Sequence, residues 1–173
     1  MTDTPPPFNV LFLCTGNSAR SILAEAILNN LGDGRFKAFS AGSTPKGAVH
    51  PQVLALLGGK GFDLSGFRSK PWNEFAAPGA PHLHFVITVC DNAAGEVCPI
   101  WPGQPITAHW GMPDPAAIEG DSTMVALVFA DTYRMLQSRI RLFTSLPIKG
   151  LGRLAIKQRM EDLGHNRVAQ SPA

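Results

Sequence analysis

The 173-residue sequence has few cysteines, little net charge and no long apolar run. Three cysteines, an odd number, argue against a framework of structural disulfides and favour free thiols, metal ligands or redox groups. A formal net charge of +2 is too small to predict nucleic-acid binding. Apolar runs such as Met124–Ala130 are too short to span a membrane. The first ten residues lack the basic and apolar segments of a signal peptide, so we expect a cytoplasmic protein.

The remaining composition is that of an ordinary folded protein. Hydrophobic residues make up 45% of the chain and charged residues 16%, and the length favours a single domain. None of the five histidines stands with a cysteine at zinc-finger spacing. We therefore predict no metal site and no cofactor.

Short apolar runs alternate with segments of helical periodicity along the chain. Such alternation predicts an α/β fold, a three-layer α/β/α arrangement around a four-stranded parallel sheet. Ligands of these folds bind beyond the carboxyl ends of the strands. Cys14, Cys90 and residues 109–114 all follow predicted strands, so we expect them to meet at one edge. The predicted strands are residues 8–13, 36–41, 84–89 and 106–110, and the predicted helices are residues 19–31, 51–60, about 121–145, with Asp121 or Ser122 as cap, and 153–163.

The stretch "VLFLCTGNSARS", Val10–Ser21, places a thiol at the end of a strand and an arginine at the start of a helix. Backbone N–H groups of such a loop, with the helix N-terminus, form a cradle for a phosphate-like anion. Arg20 fits two oxygens of a tetrahedral oxyanion. The same field favours the Cys14 thiolate, and Ser21 is the favoured hydroxyl donor to its sulfur. The predicted oxyanion-binding residues are Thr15, Gly16, Asn17, Ser18, Ala19, Arg20 and Ser21.

Cys14 and Arg20 have a plainer interpretation as a buried cysteine and an ordinary helix-start arginine. The strand before them, the glycine between them and the helix after them favour a nucleophile in an anion loop. A nucleotide loop is excluded, because neither G-x-G-x-x-G nor G-K-[ST] is present here.

Several stretches together resemble the low-molecular-weight tyrosine phosphatase family, and most of all its thioredoxin-coupled arsenate reductases. They are "VLFLCTGNSARS", "FSAGSTP", "VITVCDNAAGEVCPIWPG" and "HWGMPDPA". The resemblance covers about residues 8–145. It implies a phosphatase-like arsenate reductase domain at residues 8–146. Residues 1–7 are polar and rich in proline, which predicts a flexible N-terminal arm. Residues 147–173 form a C-terminal extension, for which a packed helix, an interaction tail and a solvated segment are possible, the last being favoured.

The resemblance implies that Asp114 is the general acid that protonates a leaving oxygen. By pattern alone, an aspartate before Pro115 is more typical of a turn or helix cap. Tyrosine phosphatases of this family usually carry tyrosines after the acid, whereas the only tyrosine here is Tyr133. They also usually carry a second cysteine at the position of Ala19. Both departures argue against a tyrosyl substrate.

The resemblance also implies a relay of three thiols. Cys14 attacks arsenate, Cys90 then forms a disulfide with Cys14, and Cys98 takes over that disulfide. A thioredoxin-type partner reduces the final Cys90–Cys98 bond. Taken singly, Cys90 is equally a core residue at a strand end, and Cys98 an incidental surface thiol.

Some relatives hold potassium beside the loop, and Asn17 and Glu25 match two of its ligands. Basic Arg68 and Lys70 fall near the other expected ligands. Because an ammonium group can replace a bound cation, we predict no potassium requirement. The alternative for Lys70 is an ordinary solvated lysine.

Three functions compete at this point. The favoured one is reduction of arsenate to arsenite in arsenic detoxification, by a monomer without nucleic-acid or membrane partners. Phosphate or sulfate can occupy the same loop, so hydrolysis of phosphotyrosine or small phosphate esters is the alternative. The third is a non-catalytic oxyanion or arsenic sensor, which would need neither a nucleophile nor an acid.

Overall fold

A computed structural model describes residues 5–90 and 99–165. Residues 5–7 precede the first strand, and the remainder of the predicted N-terminal arm lies outside the described residues. In that described part, no helix is both long and apolar enough to cross a membrane. The strands are β1 (Phe8–Cys14), β2 (Phe36–Gly42), β3 (Phe85–Thr88) and β4 (Ile106–His109), and the α-helices are α1 (Arg20–Leu31), α2 (Pro51–Gly59), α3 (Ser122–Thr144) and α4 (Arg153–His165).

The four strands form one parallel sheet in the order β2-β1-β3-β4. From β1 the chain crosses to one side to form β2, and β3 then lies on the other side of β1. The strand order therefore reverses at the carboxyl ends of β1 and β3. Such a switch point is where open parallel sheets bind ligands, because the loops diverge there and leave a crevice.

The two faces of the sheet bury different clusters. Val10 and Phe12 of β1 join a large core that includes residues of all four α-helices. The alternate residues Leu11 and Leu13 pack in a smaller cluster with Phe75. This alternation follows from the period of two along a strand, and both faces are apolar as expected for a parallel sheet. In the described residues the second face is covered by a one-turn 3-10 helix, Trp72–Phe75, and by loop residues.

The predicted α/β class and four-stranded parallel sheet are confirmed. Each predicted strand and helix is present, with ends shifted by at most two residues. Asp121 caps α3, because its Oδ1 accepts a hydrogen bond of 2.8 Å from the Met124 N–H. Three 3-10 helices, Trp72–Phe75, Pro115–Ala117 and Ile148–Gly150, were not predicted. One turn is too short to show a hydrophobic period.

The C-terminal extension differs from the solvated segment that the sequence favoured. Helix α4 buries Ile156, Met160 and Leu163 in the large core and packs against β4. The indole N–H of Trp110 donates a 2.8 Å hydrogen bond to the Met160 carbonyl. Charged residues spaced along this helix obscured a narrow apolar stripe at i, i+4 and i+7, which is a helix face.

We predict that Met160→Ala lowers the free energy of unfolding by about 2–5 kcal/mol, because it removes a large buried side chain from the core. Met160 is 0% exposed, whereas Leu154 of the same helix is 83% exposed. Leu154→Ala is therefore the matched control, with a change within about 0.5 kcal/mol. Urea denaturation measures both variants. Equal, small losses would contradict the packing of α4 into the core.

Candidate active site

Two thiols meet at the switch point of the sheet. Cys14 is the last residue of β1, and Cys90 follows β3 by two residues. Because Leu13 pairs with Thr88 across the two strands, the residues that follow each strand are neighbours. Both cysteines are buried and reduced, and their side chains are hydrogen-bonded to each other. The predicted meeting of Cys14 with Cys90 is therefore found in the structure.

The loop after Cys14 is held by the segment that follows β2. Three backbone N–H groups of that segment donate hydrogen bonds to carbonyl groups of the loop. On the side of the thiol, the Gly16 N–H donates to the Cys14 sulfur. The three bonds, each 2.9 Å, run from Thr44 N to Thr15 O, from Lys46 N to Gly16 O and from His50 N to Ser18 O.

This close approach of two segments needs a glycine at position 42. A Cβ atom there would lie 2.5 Å from the Thr15 carbonyl oxygen and 2.9 Å from that of Cys14. Gly42, the last residue of β2, therefore lets the neighbouring loop lie directly against the thiol-bearing one.

Asn17 holds the loop from inside. It is fully buried and adopts a left-handed backbone conformation with φ of 43°, which asparagine tolerates better than most residues. Its side-chain amide donates to Ser21 Oγ at 2.8 Å and accepts from the Lys70 backbone N–H at 2.8 Å. Ser21 thus braces Asn17, and no hydrogen bond between Ser21 and Cys14 is found among the described residues.

Arg20, the first residue of α1, is aimed across the loop. One terminal nitrogen donates to the Met112 carbonyl at 2.9 Å, and the other lies 3.7 Å from Oδ2 of Asp114. Its Nε atom is buried and has no hydrogen-bond partner among the described residues. A buried guanidinium N–H without a partner is costly, so an oxyanion in the loop would satisfy it.

Asp114 caps a turn, as its pattern alone suggested, while its role as general acid stays a prediction. Its Oδ1 accepts a 3.0 Å hydrogen bond from Ala116 N and caps the short 3-10 helix that follows. Its Oδ2 faces Arg20. The side chain is 39% exposed. We call residues 110–114, which lead from β4 to this carboxylate, the acid loop.

The cavity above Cys14 has a volume of about 390 Å³. Of the predicted oxyanion-binding residues, Asn17 and Ser21 support the loop but do not line the cavity. Sequence reasoning missed Thr44 and Lys46, although they follow β2 at the same edge of the sheet, which was the available signal. Cys98 lies outside the described residues. The lining residues are Cys14, Thr15, Gly16, Ser18, Ala19, Arg20, Thr44, Lys46 and Asp114.

The proton affinity of Cys14 differs from the sequence expectation of ready ionisation. The hydrogen bond with Cys90 and burial raise the pKa of the Cys14 thiol, against the lowering effects of Arg20 and the Gly16 N–H. The sequence expectation rested on the electrostatic field of the loop and did not include the effect of the Cys90 thiol on the pKa of Cys14. A Thr15 N–H donates to Cys90 Sγ at 3.3 Å and holds that thiol in place.

Lys70 is a buried lysine beneath the loop rather than a solvated one. It is 7% exposed, and its ammonium donates to the Arg68 carbonyl at 3.0 Å and to Ser40 Oγ at 3.4 Å. Glu25 Oε1 lies 3.8 Å from the same nitrogen and accepts from Ser40 Oγ at 2.6 Å. The ammonium thus lies beside Glu25, one of the two side chains that matched potassium ligands, while the Arg68 side chain pairs with Glu74 instead. Independence from potassium stays a prediction.

We predict that Cys90→Ala lowers the pKa of Cys14, because it removes the largest influence that raises it. More thiolate is then present at neutral pH, so iodoacetamide alkylates Cys14 faster. The rate of alkylation against pH, followed by peptide mass spectrometry so that each thiol is resolved, measures the shift. A midpoint unchanged from that of the wild-type protein would contradict the coupling.

We predict that Lys70→Met destabilises the protein by about 3–5 kcal/mol, because it leaves the buried Glu25 carboxylate without its cation. Burial already raises the pKa of Glu25 above its ordinary value, and loss of Lys70 raises it further. The folded variant then binds more protons than the unfolded chain, so its stability falls as pH rises from acidic towards neutral.

Arg68→Met is the matched control, since that side chain is 60% exposed in its pair with Glu74. We expect a loss below about 1 kcal/mol from this change. Urea denaturation at pH 5 and pH 7.5 compares both variants with the double variant Glu25→Gln with Lys70→Met, which recovers part of the loss. No recovery would show that Lys70 acts by packing alone.

Comparisons with known proteins agree with this geometry. The family model described as low molecular weight phosphotyrosine protein phosphatase matches residues 9–153. A protein named arsenate reductase from Halalkalibacterium halodurans is 35% identical over 135 residues, 78% of this chain and 93% of the relative. One named glutaredoxin arsenate reductase from Synechocystis sp. is 34% identical over 106 residues, 61% of this chain and 77% of the relative.

Solved structures are similar as well. A structure described as an arsenate reductase in the intermediate state is 30% identical, with a TM-score of 0.62, and the match covers 80% of this chain and 97% of that one. A thioredoxin-dependent arsenate reductase from Corynebacterium glutamicum is 28% identical, with a TM-score of 0.54, over 80% of this chain and 64% of that one. The chain therefore belongs to the low molecular weight phosphotyrosine protein phosphatase family, as a member similar to that family's arsenate reductases.

Proposed function

We propose that this protein reduces arsenate to arsenite with Cys14 as nucleophile, and with Cys90 and then Cys98 as the thiols that supply its electrons. The observation that carries the proposal is the hydrogen-bonded pair of thiols, Cys14 and Cys90, on the floor of an oxyanion cradle. A hydrolase needs one nucleophile there, whereas reduction of arsenic by two electrons needs a second thiol beside the first.

The first step is substitution at arsenic. Arsenate binds to backbone N–H groups of the loop and to Arg20, whose positive charge offsets the charge of the oxyanion. The Cys14 thiolate attacks arsenic, so an S–As bond forms and an As–O bond breaks. Asp114 gives the leaving oxygen a proton from Oδ2, while Oδ1 stays anchored on Ala116 N.

The second step is reduction. The Cys90 thiolate attacks the sulfur of Cys14, so an S–S bond forms and the S–As bond breaks. The electron pair of that bond stays on arsenic, which passes from As(V) to As(III) and leaves as arsenite. Cys90 is the thiol for this attack, because it is buried at the same edge of the sheet and interacts with the Cys14 side chain. Cys98 then attacks Cys90, which frees Cys14 and leaves a Cys90–Cys98 disulfide.

Phosphate ester hydrolysis is the second candidate function, since the cradle and the acid suffice for it. The site lacks a tyrosine to contact an aromatic substrate, because Tyr133, the only tyrosine of the sequence, is buried in the core on α3. No tyrosine ring can therefore flank a phosphotyrosine above Cys14. A non-catalytic sensor is disfavoured by the acid, which plays no part in binding an anion.

A thioredoxin-type protein is the proposed electron donor. The names of two similar proteins support a protein dithiol, one with thioredoxin and one with glutaredoxin. Such donors act in reducing compartments, which agrees with a cytoplasmic location. We also propose that the enzyme is a monomer and that phosphate or sulfate compete for the loop.

Disulfide mapping after arsenate treatment tests the relay. The reduced protein, without any donor, receives arsenate and is then alkylated and digested. We expect a Cys90–Cys98 disulfide in the wild-type protein and a trapped Cys14–Cys90 disulfide in Cys98→Ser, each with one equivalent of arsenite. Thioredoxin with its reductase should then sustain turnover in the wild-type protein only.

Cys14→Ser is the control, because it keeps the cradle and the other two thiols but lacks the nucleophile. It should form no arsenite. Free thiols in the arsenate-treated wild-type protein, together with hydrolysis of 4-nitrophenyl phosphate, would replace the reductase with the phosphatase. Stoichiometric arsenate binding without either reaction would instead favour the sensor.

A further inference from the structure

Arg139 of α3 is a buried arginine that the chemistry above does not use. It is 3% exposed, and in the described part of the chain it forms no ion pair with a carboxylate. Burial lowers its pKa. Its terminal nitrogens donate to two carbonyl groups from separate segments, Gly111 at 3.2 Å and Gly164 at 3.4 Å. Burying a charge without a counter-ion is costly. The hydrogen bonds by which this side chain joins two backbone segments therefore point to a specific role for it.

The two carbonyls belong to the acid loop and to the end of α4. Helix α4 contacts the chain where β4 leads into that loop. The Trp110 indole N–H donates to Met160 O, and a Cβ atom on Gly164 would lie 2.2 Å from the carbonyl oxygen of His109, the last residue of β4. No side chain fits between them at this point. Arg139 of α3 therefore bonds to both α4 and the acid loop, at a point where these three segments are in direct contact.

The other end of the acid loop carries the catalytic groups. Gly111 is followed by Met112, whose carbonyl accepts from Arg20, and Asp114 lies two residues further on. The Asp114 side chain is itself 39% exposed, so packing around the carboxylate does little to hold it. Apart from its contacts with the Ala116 N–H and Arg20, its position depends on where the preceding residues lie.

We propose that Arg139 and α4 clamp the acid loop and so place Asp114 over the leaving oxygen, Arg139 being a positioning residue. The matched family model ends at residue 153, where α4 begins, so the clamp adds a segment beyond the shared part of the fold. This inference rests on the proposed function for its effect on rate. A displacement of about 1 Å at a catalytic group costs on the order of 100-fold.

A double-mutant cycle with Asp114→Asn separates positioning from a structural role. We measure arsenite release in a single turnover at saturating arsenate, per folded protein. Asp114→Asn should lower the rate on the order of 100-fold, the low end for general acid catalysis, and Arg139→Met about 10-fold. The double variant should be no slower than Asp114→Asn, because Arg139 acts through that carboxylate. Additive losses, or an unchanged rate in Arg139→Met, would overturn the inference.

Arg141→Met on the same helix is the matched control, because that residue is exposed. Gly164→Ala provides a second variant, since its methyl group must push α4 away from His109 O, whereas Gly152→Ala places a methyl group in open space. We expect Gly164→Ala to lower the rate about as much as Arg139→Met, and both control variants to keep it within about 2-fold of the wild-type rate.

Amide hydrogen exchange keeps this result distinct from a failure of the proposed function. In the peptide that covers residues 107–114, Arg139→Met and Gly164→Ala should exchange several-fold faster than the wild-type protein, while both controls match it. If the wild-type protein releases no arsenite, the proposed function fails, and exchange alone decides the clamp. Unchanged exchange in both test variants would overturn it.

Discussion

The parallel pairing of β1 with β3 is the constraint on which the rest of the site depends. Because both strands run in the same direction side by side, their carboxyl ends open on the same crevice. Cys14 and Cys90, 76 positions apart in numbering, thereby become hydrogen-bonded neighbours. The energy of this arrangement comes from the apolar strands beneath it. The polar loop above is held by the segment after β2, through backbone hydrogen bonds to the loop carbonyls.

Charge balance around the cradle follows from burial. Arg20 has a buried N–H that an oxyanion can satisfy, and it also contacts the acid loop through Met112. On the other side, Lys70 provides a buried positive charge with Glu25 as its counter-charge and reaches the loop through Asn17. The contact with the loop is made by the Lys70 backbone N–H, which donates to Asn17, and the ammonium itself binds Arg68 O and Ser40. The cost of burying that pair is offset because each polar group has several partners.

The second thiol changes the expected ionisation of Cys14, the proposed nucleophile. A helix N-terminus and an arginine favour thiolate, yet the contact with Cys90 and the burial of Cys14 favour the thiol. A bound oxyanion alters the charge above the pair, so the proton affinity of the free site is not that of the complex. In the proposed relay the same interaction is useful, because it involves the two thiols between which the first disulfide would form.

The order of elements followed from the sequence alone, because apolar runs of strand length and helical periods are local properties. Local pattern also indicated Cys14, Arg20 and the loop between them, since an anion cradle occupies one short segment. Pairings between distant segments were decided by tertiary structure. No local signal states that Ser21 supports Asn17, that Lys46 lines the cavity, or that Lys70 is buried. Likewise, the burial of the three apolar residues of α4 could not be predicted from that segment alone, because it results from their packing against β4 and Trp110. Burial depends on the surface that a residue meets and not on the residue itself.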